Sequence, residues 1–178
     1  MVRALALSPI LDRPGVPRRL LAIFSSGEAA PLYGLMTEPT QREAYRLWAR
    51  DTARYGDTDR QGHLNNAVFS TFLETGRTSF LMDPAAHLAP EGCGFVIVRL
   101  VIDYRREMHW GGSVEIGTTV RALGRSSFTL GQAIFQDDAC TATAETVLVL
   151  MDDGTRRARP LPDDLRQALT RWIAPPSP

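Results

Sequence analysis

Apolar positions follow no period over residues 1–40 and become regular only from about residue 43. Residues 46–55 predict a strand, with Leu47 and Ala49 set among polar and basic neighbours. Residues 57–66, introduced by Gly56 and interrupted by Gly62, are polar and irregular, which reads as a loop. From Asn66 to Met82 the residues Val68, Phe69, Phe72, Leu73, Phe80 and Leu81 recur at helical spacing and make one broad apolar face. Asn65 or Asn66 supplies the N-cap, because an Asn side-chain oxygen accepts from the free backbone N–H groups of the first turn. Asp83-Pro84 stops the helix, since a proline disfavours helical geometry in the residue before it.

Four strands follow, separated by short turns. Residues 95–105 form a nearly continuous apolar run, the pattern of a strand buried on both faces. Val114, Ile116, Thr118, Val120 and Ala122 fall on one face of the next strand, and Phe128, Leu130, Gln132 and Ile134 on one face of the third. In the fourth, Val147 and Val149 alternate with Leu148 and Leu150. Gly111-Gly112, Gly124-Arg125, Asp137-Asp138 and Asp152-Asp153-Gly154 mark the turns. Residues 163–172 predict a short terminal helix between Pro162 and Pro175-Pro176.

The order strand, long helix, four antiparallel strands defines an α+β domain, a five-stranded antiparallel sheet wrapped around one long helix. It occupies residues 41–174, with residues 1–40 as a poorly ordered N-terminal extension. One helix cannot cover both faces of such a sheet. The outer face and an edge need protection, which predicts a homodimer or homotetramer built by edge pairing and helix contact.

Composition narrows the function. With 44% hydrophobic and 22% charged residues in a chain of 178, a packed core is expected. The formal net charge is zero, so no bulk attraction to nucleic acid or to an anionic membrane is expected. All 20 basic residues are Arg, which excludes Schiff-base and P-loop lysine chemistry. Cys93 and Cys140 stand far apart, and His63, His87 and His109 have no metal-ligand spacing, so no metal is expected. Two unpaired thiols point to a cytoplasmic protein. No apolar run approaches the ~18 residues of a membrane span. Arg3 before Ala4-Leu5-Ala6-Leu7, and Arg18-Arg19 before Leu20-Leu21-Ala22-Ile23-Phe24, have the flanks of export signals but apolar cores that are too short. Met36 is an alternative start of the chain.

The segment Arg54-Tyr55-Gly56-Asp57-Thr58-Asp59-Arg60-Gln61-Gly62-His63-Leu64-Asn65-Asn66 leads into Phe69-Ser70-Thr71-Phe72-Leu73-Glu74-Thr75-Gly76-Arg77. It resembles the 4-hydroxybenzoyl-CoA thioesterase-like family of hot-dog proteins. Their pattern is an aromatic residue, Asp-x-Asp-x-x-Gly, His or an apolar residue, then Asn at the start of the central helix. Ile102-Asp103-Tyr104-Arg105-Arg106, Gly124-Arg125-Ser126-Ser127-Phe128 and Arg159-Pro160-Leu161-Pro162 extend the likeness, which covers residues 43–172. The resemblance implies the hot-dog fold, dimers or tetramers with active sites at the subunit interface, and hydrolysis of acyl-CoA or of an acyl group on a carrier protein. Coenzyme A enters as part of the substrate and no cofactor is implied.

Thioester hydrolysis needs a base or nucleophile at the carbonyl carbon and donors aimed at the forming oxyanion. Asp59 aligns with the family's catalytic carboxylate; as a lone loop residue it would otherwise be an Asx-turn. Asn66 offers the first-turn backbone N–H to the oxyanion, aided by the helix dipole. His63 and Asn65 orient the carbonyl or a water, with a hydrogen-bonded loop histidine as the other reading of His63, and Gly62 either lets the loop approach the substrate or supplies a positive φ. Asp57 braces the loop. Glu74, two turns along the helix, is the rival carboxylate, because some hot-dog thioesterases use one from this helix; a structural pair with Arg77 is its alternative. Arg125, Ser126 and Ser127 occupy the turn where relatives grip coenzyme A phosphates, although only Arg125 is basic there. A hot-dog hydratase or dehydratase and a non-catalytic acyl-CoA-binding protein are the competing functions.

Overall fold

The computed structural model describes residues 38–83 and 88–173, all within one compact unit. The expectations for residues 1–37, for His87 and for the terminal prolines lie outside the described residues. The elements are β1 (Leu47–Thr52), α1 (Asn66–Leu81), β2 (Cys93–Tyr104), β3 (Ser113–Leu123), β4 (Ser127–Gln136), β5 (Ala139–Asp152) and α2 (Asp163–Thr170), with single 3₁₀ turns at Arg42–Ala44 and Tyr55–Asp57. The strands form one antiparallel sheet in the order β1-β3-β4-β5-β2, with α1 lying across β1, β3 and β4.

The apolar face of α1 carries the core. Phe69, Phe72 and Leu73 are buried against Val114, Ile116, Ile134, Ala142 and Ala144, and Phe80 against Val120, Phe128, Leu130 and Leu148. Each such side chain contributes about 1.5–3 kcal/mol of transfer free energy. Where α1 meets the sheet most closely the residue is Gly76. A Cβ there would stand 2.5 Å from Ile116 Cγ2 and 3.0 Å from Gln132 Nε2. Beneath that contact Gln132 is wholly buried and fully used. Its Nε2 donates to the Leu73 carbonyl (3.0 Å) and to Thr118 Oγ1 (3.2 Å), and its Oε1 accepts from Arg77 (3.3 Å) and Thr146 Oγ1 (3.2 Å). A polar side chain at a core position is tolerated only when its partners are complete, and here they are.

Three local expectations change. Residues 95–105 read as doubly buried, but β2 is an edge strand, and Ile97 and Val98 are 48% and 59% exposed. An apolar run alone cannot distinguish a central strand from an edge strand, because strand order depends on pairing partners far along the chain. Ala122 does not continue the buried face of β3. A bulge between Val120 and Ala122 inserts one residue, so Ala122 is exposed and Leu123 packs on the core instead. The outer face, expected to need a second subunit, is partly covered by this chain. Tyr45 packs on Ala133 and Phe135 with Trp48 alongside, and Glu38 is buried against Arg121 (2.8 Å). Gly117 and Gly131 make room for Tyr45 and Glu38. The Asp137-Asp138 turn has φ of 49° and 61°, the left-handed pair a two-residue hairpin requires.

Candidate active site

The loop between β1 and α1 is shaped by its own side chains. Asp57 Oδ2 accepts from Arg54 N–H (2.9 Å), and the Asp57 carbonyl accepts from Asn65 N–H (2.9 Å), so Asp57 braces the loop. The Asp59 N–H donates to the His63 carbonyl (2.8 Å) and the Gly62 N–H to the Asp59 carbonyl (3.2 Å), closing a tight turn. Gly62 takes φ +85°, with open space where a Cβ would be, so backbone conformation is what the glycine supplies. The loop is docked on the segment between β2 and β3: the Leu64 N–H donates to the Met108 carbonyl (2.8 Å), and His63 bridges His109 in antiparallel register.

Within this turn the Asp59 carboxylate is oriented. Its Oδ1 accepts from the N–H groups of Gln61 (2.7 Å) and His63 (3.2 Å). Among the described residues, Oδ2 has no partner. The Asx-turn geometry that would explain an ordinary loop Asp is therefore present, and it leaves one oxygen free. Asn65 is the N-cap of α1, its Oδ1 accepting from Ala67 N–H (2.9 Å). That oxygen is committed to the helix, so only its amide nitrogen remains for a ligand. The Asn66 N–H has no acceptor among the described residues, as expected at the first position of a helix.

Asp59, Gln61, His63, Leu64, Asn66 and Phe69 face Tyr104, Arg105, Arg106, Glu107 and Met108 across an open cleft of about 640 Å³. Tyr104 donates its hydroxyl to the Asn66 carbonyl (3.1 Å) and stacks edge-on against Phe69 at 5.1 Å, fixing the far wall to the start of α1. Arg105 donates to Thr143 Oγ1 (3.0 Å). Tyr104, Arg105 and Arg106 join the site although the sequence marks them only as part of the family likeness. The available signal was two adjacent cations where an apolar strand ends.

The remaining candidates lie elsewhere in the chain. Glu74 is exposed on the third turn of α1, at the rim of a separate hollow of about 350 Å³ with Leu81, Met82, Phe95, Ile97 and Leu148. The predicted Glu74–Arg77 pair is not a direct contact. Arg77 is only 5% exposed and bonds Gln132, and burial lowers its pKa from the usual guanidinium value while the Glu74 charge opposes that shift. Arg125, Ser126 and Ser127 sit at the β3–β4 turn, at the other end of the sheet from the cleft. The 11 residues of β3 separate the two ends, roughly 35 Å at about 3.3 Å per residue. The turn is packed into the fold: the Arg125 and Ser126 carbonyls accept from Leu161 and Leu150 N–H, and Arg166 donates to the Gly124 carbonyl (2.8 Å).

A five-stranded antiparallel sheet over one long helix, with an acidic turn at the helix N-terminus, defines a hot-dog protein. Residues 53–169 match the family model of the thioesterase-like superfamily, and the chain belongs to that superfamily. It is 29% identical over 127 residues to a 1,4-dihydroxy-2-naphthoyl-CoA hydrolase of Synechococcus elongatus, covering 65% of this chain and 89% of that one. It is 28% identical over 115 residues to the long-chain acyl-CoA thioesterase FadM of Escherichia coli, covering 62% and 87%. Among solved structures it resembles a thioesterase from Thermus thermophilus complexed with coenzyme A and Zn, with a TM-score of 0.65 and 28% identity over 76% of this chain and 99% of that one. The expected class, a hot-dog thioesterase, agrees with each of these. No described helix is long and apolar enough to cross a membrane.

Proposed function

We propose that this chain hydrolyses an acyl-CoA thioester in the cleft below the N-terminus of α1. Asp59 Oδ2 acts as base toward water or as nucleophile toward the carbonyl, and the Asn66 N–H receives the developing oxyanion. The observation that carries this reading is the pairing of a carboxylate held by Gln61 and His63 N–H groups with an unused helix N-terminal donor in one cleft. Orientation without full saturation is what a reacting carboxylate requires. The neighbouring Arg105 and Arg106 offer cations to phosphate groups, for which guanidinium is suited by its planar pair of donors.

The exposed β2 edge supports a homodimer. Antiparallel pairing of two β2 strands inverts one relative to the other, so the Cys93 end of one copy lies beside the Tyr104 end of its mate. That would bring the hollow lined by Leu81, Phe95 and Ile97, together with the Arg125 turn, toward the partner's cleft. Two parts separated within one chain then serve one site, the apolar hollow receiving the acyl group. The named relatives act on an aromatic and on a long-chain acyl group, so both belong in the test. The full chain is incubated with aromatic, short and long acyl-CoAs and the released thiol is measured. Turnover of at least one substrate is expected. Coenzyme A binding with no thiol release from any substrate would leave a binding module in place of an enzyme.

A further inference from the structure

Beside the proposed thioester site, two imidazoles and a carboxylate from distant parts of the sequence converge. His63 Nε2 lies 3.3 Å from Glu107 Oε2, the His63 and His109 rings meet edge-on at 5.3 Å, and one donor atom from each of His63, Glu107 and His109 falls within 4.8 Å of the others. The backbone holds them in place, because His63 and His109 are bridge partners and the adjoining Leu64–Met108 hydrogen bond locks the register. We propose that His63, Glu107 and His109 form a site for a divalent first-row transition ion, zinc above all. The site goes beyond thioester hydrolysis and does not depend on it.

Three features favour a cation over an ordinary surface cluster. The donor set, two neutral imidazoles and one carboxylate, suits zinc and leaves a fourth tetrahedral position for water. With bonds of about 2.0–2.1 Å, neighbouring ligand atoms of a tetrahedral site stand roughly 3.3–3.4 Å apart, and the His63–Glu107 separation of 3.3 Å already has that value. His109 Nδ1 faces the Gly62 carbonyl at 3.5 Å. Donation there leaves Nε2 with its lone pair, and a carbonyl partner of this kind is the usual outer support of a metal-bound imidazole. A 71%-exposed Glu107 side chain paired with a single imidazole contributes little to stability by itself. An ion held here would tie the Asp59 loop to the segment that follows β2.

The test uses the full chain freed of metal with a chelator and titrated with zinc chloride in a calorimeter. One ion per chain is expected, together with a rise in melting temperature, because a ligand that binds only the folded state stabilises it. His109→Ala and Glu107→Gln should each weaken binding at least ~10-fold, the loss that follows even from removing an outer partner of a ligand. The Glu107 side chain is exposed, so its variant tests the ligand role without disturbing packing; both variants should melt like the parent in the absence of metal. No binding by the parent chain overturns the proposal, and so does binding that is unchanged in both variants.

Discussion

The loop before α1 and the third turn of α1 each carry a candidate carboxylate, and they solve opposite problems. Ahead of the helix Asp59 sits on an exposed loop, yet two N–H groups pin one of its oxygens while the other has no partner among the described residues. At the third turn Glu74 is exposed on a regular helix with no side-chain hydrogen bond to any described residue, while its neighbour Arg77 is buried and committed to Gln132. Order in the loop comes from its own backbone and is directed at a side chain. Order at the third turn comes from packing and is directed at the helix itself. A loop can therefore orient a carboxylate that a regular helix leaves unheld, when the loop's own amides do the holding.

The sharpest way to break this comparison is kinetic. Asp59→Asn should lower kcat by about 10²-fold or more if Asp59 is the base or nucleophile, measured as thiol release under saturating acyl-CoA. A variant with near-normal turnover would move the chemistry elsewhere. The next effect is on stability. Gly76→Val puts branched carbon where a single Cβ already approaches Ile116 to 2.5 Å, and overpacking of this kind costs about 1–3 kcal/mol. Chemical denaturation should show it as a lower midpoint with an unchanged slope. Glu74→Gln should then leave kcat close to that of the parent, because Glu74 is exposed and does not line the cleft that holds Asp59. Loss of activity there, with Asp59→Asn active, would reverse the roles of the two carboxylates.

The smallest effect is a control on charge away from both carboxylates. Hydrogen bonding to Arg42 holds the Glu115 carboxyl below its ordinary range, and Arg50 adds to this. A depressed carboxyl stabilises the fold above its unfolded pKa and loses that contribution as pH falls through its folded value. Glu115→Gln should therefore be slightly less stable at neutral pH and lose less stability on acidification, read from melting temperatures below pH ~4.5.

The periodicity of α1, a cap at Asn65 or Asn66 and the alternation of β4 could be read from the sequence because each depends on neighbours a few residues away, and the structure decides for Asn65. The edge position of β2 could not, because strand order is fixed by pairing partners far along the chain. The shift at Ala122 was hidden for a related reason: a bulge is defined only against the opposing strand. Asp59 and Asn66 stand out through one motif and Tyr104, Arg105 and Arg106 belong to a second stretch of the same likeness, but only the docking of two loops shows that both line one cleft. His63 and His109 showed no ligand spacing because a backbone bridge, not a helix or a turn, brings them together. Arg125 matched a family turn, yet within one chain it lies at the wrong end of the sheet to reach Asp59.

Gln132 has a consequence beyond the core it fills. Its amide grips the Leu73 carbonyl from below while Thr118 and Thr146 hold it from the sheet. An α-helix advances about 1.5 Å per residue, so a slip of α1 by a single residue would break the bonds that the Leu73 carbonyl and Arg77 make to Gln132 and leave those buried polar groups unmet. The side chain works as an axial stop. It sets how far the helix tip reaches toward the acidic turn, so substitution of a core glutamine remote from any substrate should loosen the alignment of Asn66 with Asp59.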